Sequence, residues 1–141
     1  MRSKLASIAV FTVSLLISGC GGGHYTNPYD GAWEAVYPPE DKSSTSPTLV
    51  VQCSTLPAAL TIKDGEGSTT QTMTCLTEIK DATTGATTSS YTNNYYYNIS
   101  VAIDANGLIK AIVNGAYFSG QCISQIGCSA QSGGNALSLT R

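Results

Sequence analysis

Two tight-turn signatures in the last third of the chain, Asp104-Ala105-Asn106-Gly107 and Asn114-Gly115, constrain the fold more than any other feature. A three-residue loop over Ala105–Gly107, with Gly107 in the left-handed region, is a common hairpin connection, and Asn-Gly is the strongest two-residue hairpin signal. The first turn pairs Ile103 with Ile109, Val101 with Ala111 and Ile99 with Val113. The second pairs Val113 with Ala116, Ala111 with Phe118 and Ile109 with Gly120. Read independently, the two turns gather Ile99, Val101, Ile103, Ile109, Ala111, Val113, Ala116 and Phe118 on one face. The opposite face carries Asn98, Ser100, Lys110 and Ser119, with Leu108, Ile112 and Tyr117 as apolar exceptions. A slip of one residue would invert every side chain, so the agreement predicts a three-stranded antiparallel meander.

Period-two alternation recurs upstream. Trp33, Ala35 and Tyr37 alternate with Ala32, Glu34 and Val36, which predicts a strand from Gly31 that Pro38-Pro39 ends. Residues 40–47 read as a polar loop. Thr48–Cys53 and Ala59–Lys63 read as short strands, and Asp64-Gly65-Glu66-Gly67 as a solvated turn. Gln71–Lys80 places Met73, Cys75, Thr77 and Ile79 on one face. Residues 81–94 show no apolar periodicity and read as a long exposed loop. Tyr95 and Tyr97 are expected to face the core and Tyr96 to point away. Ala136–Thr140, after Gly133-Gly134, reads as a closing strand. With no helical period past the N-terminus, the expectation is an all-β fold. It is a small antiparallel barrel or sandwich of about seven or eight strands with a C-terminal meander, in one β domain over residues 31–141. The pattern fits barrel and sandwich equally.

The N-terminus is of a different kind. Arg2 and Lys4 precede thirteen uncharged, mostly apolar residues, Leu5–Ile17, followed by Ser18 and Gly19. A short positive region, an apolar run and small residues make a secretory signal over residues 1–19. The run falls short of the roughly 18 residues that a spanning helix needs. Ile17-Ser18-Gly19-Cys20 resembles the lipobox of bacterial lipoprotein signal peptides. The resemblance covers about twenty residues and departs from the commonest form in having Ile at the third position before the cysteine. It implies that Cys20 receives a diacylglycerol on its thiol, becomes the new N-terminus and is acylated on its amine, palmitate being a typical chain. Several acyl chains anchor a protein stably where one does not. Gly21, where an Asp would favour inner-membrane retention, implies the outer membrane of the cell envelope, on its periplasmic or outer side. Residues 20–30, rich in glycine at Gly21-Gly22-Gly23, then read as a lipidated cysteine and flexible tether.

The cysteine count agrees. Five are present, Cys20, Cys53, Cys75, Cys122 and Cys128, and an odd number in an exported chain asks for an explanation. Lipidation of Cys20 leaves four for two disulfides in an oxidising compartment. The simplest pairing is Cys53–Cys75 and Cys122–Cys128; the other two pairings remain open. No Cys-x-x-Cys pair exists and the single histidine, His24, lies in the tether, so no metal site is assigned.

Function classes narrow by elimination. The chain has no Gly-x-Ser-x-Gly elbow, no His-Glu-x-x-His and no phosphate loop. Nucleophilic catalysis would lack a base, so no catalytic residue or cofactor is assigned. Two of the seven basic residues lie in the leader, and the five beyond it face nine acidic ones. A net negative charge disfavours nucleic acid and anionic lipid as partners and suits a basic protein. Tyr91, Asn93, Asn94 and Tyr96 form the candidate recognition surface, since tyrosine offers an apolar ring with a polar tip. The expectation is a non-enzymatic envelope lipoprotein, bound to the membrane through its anchor and to an envelope protein through its β domain. Glycan or small-ligand binding by the Tyr/Asn-rich face is one alternative. Inhibition of a lysozyme-type enzyme is another, by analogy of fold alone.

Overall fold

A computed structural model describes residues 26–141; the leader, Cys20 and His24 lie outside the described residues. Ten strands follow one another: β1 (Gly31–Val36), β2 (Ser44–Thr45), β3 (Leu49–Thr55), β4 (Ala58–Ile62), β5 (Glu66–Lys80), β6 (Thr87–Ile103), β7 (Leu108–Val113), β8 (Ala116–Ser124), β9 (Gly127–Ser132) and β10 (Asn135–Thr140). They form a single antiparallel sheet in the order β2-β3-β5-β6-β7-β8-β9-β10-β1-β4. The sheet curls into a half-barrel. One sheet rather than two rules out the sandwich, and the strand count exceeds the seven or eight expected.

The curl brings β4 back beside the start of β5. Asp64 and Gly65 both have positive φ, 54° and 80°, and make a two-residue hairpin turn closed by the Lys63–Glu66 bridge. The turn was expected to span four residues, and β5 therefore starts at Glu66 instead of Gln71. The hydroxyl of Thr69 donates to the carbonyl of Ala59 at 2.7 Å, holding β4 against β5 further along.

Alternate residues fill the concave side. Trp33 and Ala35, Leu60 and Ile62, Ile99 to Ile103, Ile109 to Val113, Phe118, Ala130, Leu137 and Leu139 make one core cluster. Full burial of an aliphatic side chain of this size is worth about 1.5–3 kcal/mol. The meander has the predicted register throughout: Ile99 opposite Val113, Ile103 opposite Ile109, and Ala111 opposite Phe118. Ala116 departs from the predicted inner set and is exposed beside the turn. Gly120 lies opposite both Ile109 and Ala130, where a Cβ would overlap the carbonyl oxygen of Ser129.

The core begins before the expected boundary at residue 31. The side-chain amide of Asn27 donates to the carbonyl of Ile103 at 2.6 Å, and Asp30 accepts the Gly65 N–H at 2.8 Å. Tyr29 is buried, and its carbonyl accepts the Trp33 indole N–H at 2.8 Å. The segment read as tether is thus part of the fold from Asn27 onward.

Residues 81–94 were expected to be a loop and are mostly strand. Only residues 81–86 form the connection, and β6 starts at Thr87. The C-terminal half of β5 and the N-terminal half of β6 run on past β7 as an arm, flanked by β3 and β2. Across the arm passes the chain after β1. Tyr37 N–H donates to Gln71 Oε1 at 2.8 Å, and Gln71 Nε2 donates to the Tyr37 carbonyl at 2.5 Å. Gln71 is 1 % exposed, so this two-way bond is shielded from water and clamps the chain at Tyr37 onto β5. The Tyr37 ring completes the junction, 5.4 Å from Tyr97 and 5.9 Å, edge-on, from Phe118.

Both disulfides join residues directly opposite on neighbouring strands, Cys53–Cys75 between β3 and β5 and Cys122–Cys128 between β8 and β9. This is the simplest of the three pairings. The loops they close span 22 and 6 residues, worth roughly 3 and 2 kcal/mol by chain entropy.

Gln71→Ala would leave the Tyr37 N–H and carbonyl without partners in a half-buried site, and should cost about 2–4 kcal/mol. Urea denaturation checks it; an unchanged midpoint would show that the clamp is not structural.

Candidate functional site

The four residues singled out for recognition all lie on the arm strand β6, and strand alternation separates them. Tyr91 and Asn93 stand opposite Thr77 and Cys75 on the face that continues the barrel interior. Asn94 and Tyr96 stand opposite Thr74 and Thr72 on the outer face. They do not form one surface. What they share is an edge, because β7 stops at Val113 and pairs β6 only over Ile99–Ile103.

On the inner face, Tyr97 is half-buried and Tyr95 is 37 % exposed, with the Lys42 ammonium 5.2 Å from its ring centre. Tyr95 and Tyr97 thus share the core-side face as expected, but only Tyr97 reaches the junction. Burial first, and then the neighbouring Tyr37 and Tyr95 phenols and Glu40, push the Tyr97 phenol above its ordinary value. Tyr97 therefore holds its proton into more alkaline solution than a free tyrosine.

The outer face of the arm is polar and ordered by side-chain bonds. Thr70 donates to Asn98 Oδ1 at 2.9 Å and Thr74 to Asn94 Oδ1 at 3.0 Å. Between them Tyr96 is 60 % exposed. At the arm tip, Asp81 Oδ1 accepts the backbone N–H groups of Thr84 at 2.8 Å and Thr83 at 2.9 Å and the Thr84 hydroxyl at 3.0 Å. These bonds, the Thr84 N–H foremost, hold the Asp81 carboxyl below the usual range.

Sequence reasoning missed a concavity outside these four residues. An open groove of about 740 Å³ runs over the outer face of β5–β8, with Ser68, Ser100, Ala102, Ile112, Tyr117 and Ser119 among its lining. Tyr117 is 77 % exposed. Its signal was present in two of the apolar exceptions, Ile112 and Tyr117, on a face otherwise polar. A second groove of about 450 Å³ lies between the Tyr37–Ser43 segment and the arm, against Cys53 and Met73.

Among the described residues, no group of three or more His, Cys, Asp or Glu side chains is arranged to hold a metal ion. Among the same residues, no helix is long and apolar enough to cross a membrane. Compared with protein-family models, curated proteins and solved structures, the chain finds no match.

A carboxyl held low in the folded state stabilises the fold above its free value of 3.8, and that contribution is lost as the pH falls through the lowered one. The Thr83 and Thr84 amide resonances should therefore titrate together with a midpoint below 3.8 and lose the transition in Asp81→Asn. A midpoint at or above 3.8 would contradict the loop geometry.

Proposed function

We propose that the protein is a lipid-anchored, non-enzymatic interaction module of the bacterial cell envelope, held at the outer membrane through acylated Cys20 and presenting its β domain to another envelope protein. One observation carries the reading: Cys53, Cys75, Cys122 and Cys128 are all consumed in two cross-strand disulfides. Cys20, at the end of the lipobox-like Ile17-Ser18-Gly19-Cys20, is then the odd cysteine, and the pairings fit an oxidising compartment. The domain geometry suits the role. The chain enters the fold at Asn27, bonded to Ile103 at one end of β6, whereas the arm occupies the other end.

A second reading draws on the outer groove. A glycan or small ligand would lie there with a sugar face on the exposed Tyr117 ring and its hydroxyls on Ser100 and Ser119. In that case the parent chain binds on a glycan array and Tyr117→Ala does not.

The anchor is tested in cells fed an alkyne analogue of palmitate. The parent chain should be labelled and partition into the detergent phase; Cys20→Ala should be unlabelled and leave the membrane fraction. A Cys20→Ala chain that remained in the membrane would overturn the lipoprotein reading.

A further inference from the structure

The two long edges of the arm are treated differently. On the β3 side the edge is covered. Strand β2 pairs with Val50 and Val51, Ser43 Oγ accepts the Cys53 N–H at 3.0 Å, and Ser46 Oγ accepts the Leu49 N–H at 3.0 Å. On the β6 side, among the described residues, nothing pairs with the strand before Tyr96. Asn114 ends the open stretch: its N–H donates to the Asn98 carbonyl at 3.1 Å, its Oδ1 accepts the Asn98 N–H at 2.8 Å, and its Nδ2 donates to the Tyr96 carbonyl at 3.2 Å. Those bonds show that even-numbered residues of β6 turn their backbone groups to this edge. By alternation, Ser90, Thr92 and Asn94 present free N–H and C=O groups there. A register shift opposite Ile79 and Lys80 ends the regular edge near Thr88.

Exposed edges of this length are normally blunted by charge, proline or a covering segment. Thr87–Ile103 contains no charged residue and no proline. We propose that this edge is an interface, and that its partner is the same edge of a second copy of this chain, the two β6 strands pairing antiparallel about a two-fold axis at Thr92.

Three features favour a second copy over other occupants. Antiparallel pairing about Thr92 sets Thr92 against Thr92, Ser90 against Asn94 and Tyr91 against Asn93 of the other copy. It satisfies all three open residues on each strand with about six backbone hydrogen bonds. An uncharged strand meets its own image without like-charge repulsion, in a chain whose net charge is negative. Because β2 covers the β3 side of the arm and each β6 edge is used up by its own image about a two-fold axis, the pairing gives a closed dimer and not a filament. The incoming strand would occupy the slot that β7 vacates, its Thr88 abutting the Asn114 turn. The chain's own N-terminus does not reach. In the anchored form proposed above, Cys20–Asn27 spans at most about 25 Å, whereas Thr92 lies about 36 Å along β6 from Ile103, where Asn27 is bonded.

The test uses the full chain in native membranes. Thr92→Cys, oxidised with copper phenanthroline, should give a reducible dimer on a non-reducing gel, and Thr83→Cys at the loop should not. In detergent the parent should sediment as a dimer. Ser90→Lys with Asn94→Glu should stay dimeric, since opposite charges then meet across the seam. Ser90→Lys with Asn94→Lys should weaken association at least tenfold relative to the Lys/Glu pair, the two variants unfolding at the same temperature when diluted to monomers. A monomeric parent, equal behaviour of the two charge variants, or a Thr92→Cys joined to a different protein would each overturn the proposal. Membrane fractionation of the same samples reports on the Cys20 anchor separately.

Discussion

Strands β5 and β6 run for 15 and 17 residues while β7 stops after 6. That mismatch has a local cause. Asn114 and Gly115, both at positive φ, turn the chain back at a fixed point, and Asn114 spends its amide group on Tyr96 and Asn98. Below that point β6 is a wall of the half-barrel with one face buried. Above it the same strand has lost its neighbour, and the arm must be stabilised by other means. The Gln71 clamp, the Tyr37 junction and the Cys53–Cys75 bond supply them. Each ties the arm to a segment distant in sequence, and together they supplement the narrow buried face of Met73 and Cys75.

The same division explains what the amino-acid pattern revealed. In the meander, burial of one face forces period-two alternation, so two turns were enough to set the register of three strands. In Thr87–Asn94 both faces are wet, no alternation is imposed, and the strand read as loop although its threonines and tyrosine favour β structure. Strand β9 was missed for another reason. Its inner residues are Cys128 and Ala130, too small to stand out as an apolar run. The clamp could not be read either, since a glutamine between threonines carries no sign that its partner is a backbone 34 residues away.

The candidate recognition residues were legible as a composition but not as a surface. Tyr91, Asn93, Asn94 and Tyr96 are close in sequence, and proximity suggested a shared face. Strand geometry distributes neighbours to opposite faces, so what a cluster of this kind shares is the edge and not a face. The outer groove shows the converse. Ile112 and Tyr117 fit poorly with the polar face they occupy, and both line the concavity.

Edge and anchor bear on each other through geometry. Chain entry at Asn27 and the open edge at Ser90–Tyr96 lie toward opposite ends of one strand, so any strand added to the edge stays clear of the end from which the proposed anchor would lead. Self-pairing about Thr92 would set the two barrels at opposite ends of the joined arms, with each Asn27 toward the outer end. The membrane confinement proposed above would raise the effective concentration of such copies. An edge offering only three residues of free backbone would then pair more completely there than in dilute detergent. On that argument the absence of charge along β6 is a condition of assembly, because a charge at position 92 would face itself across the axis.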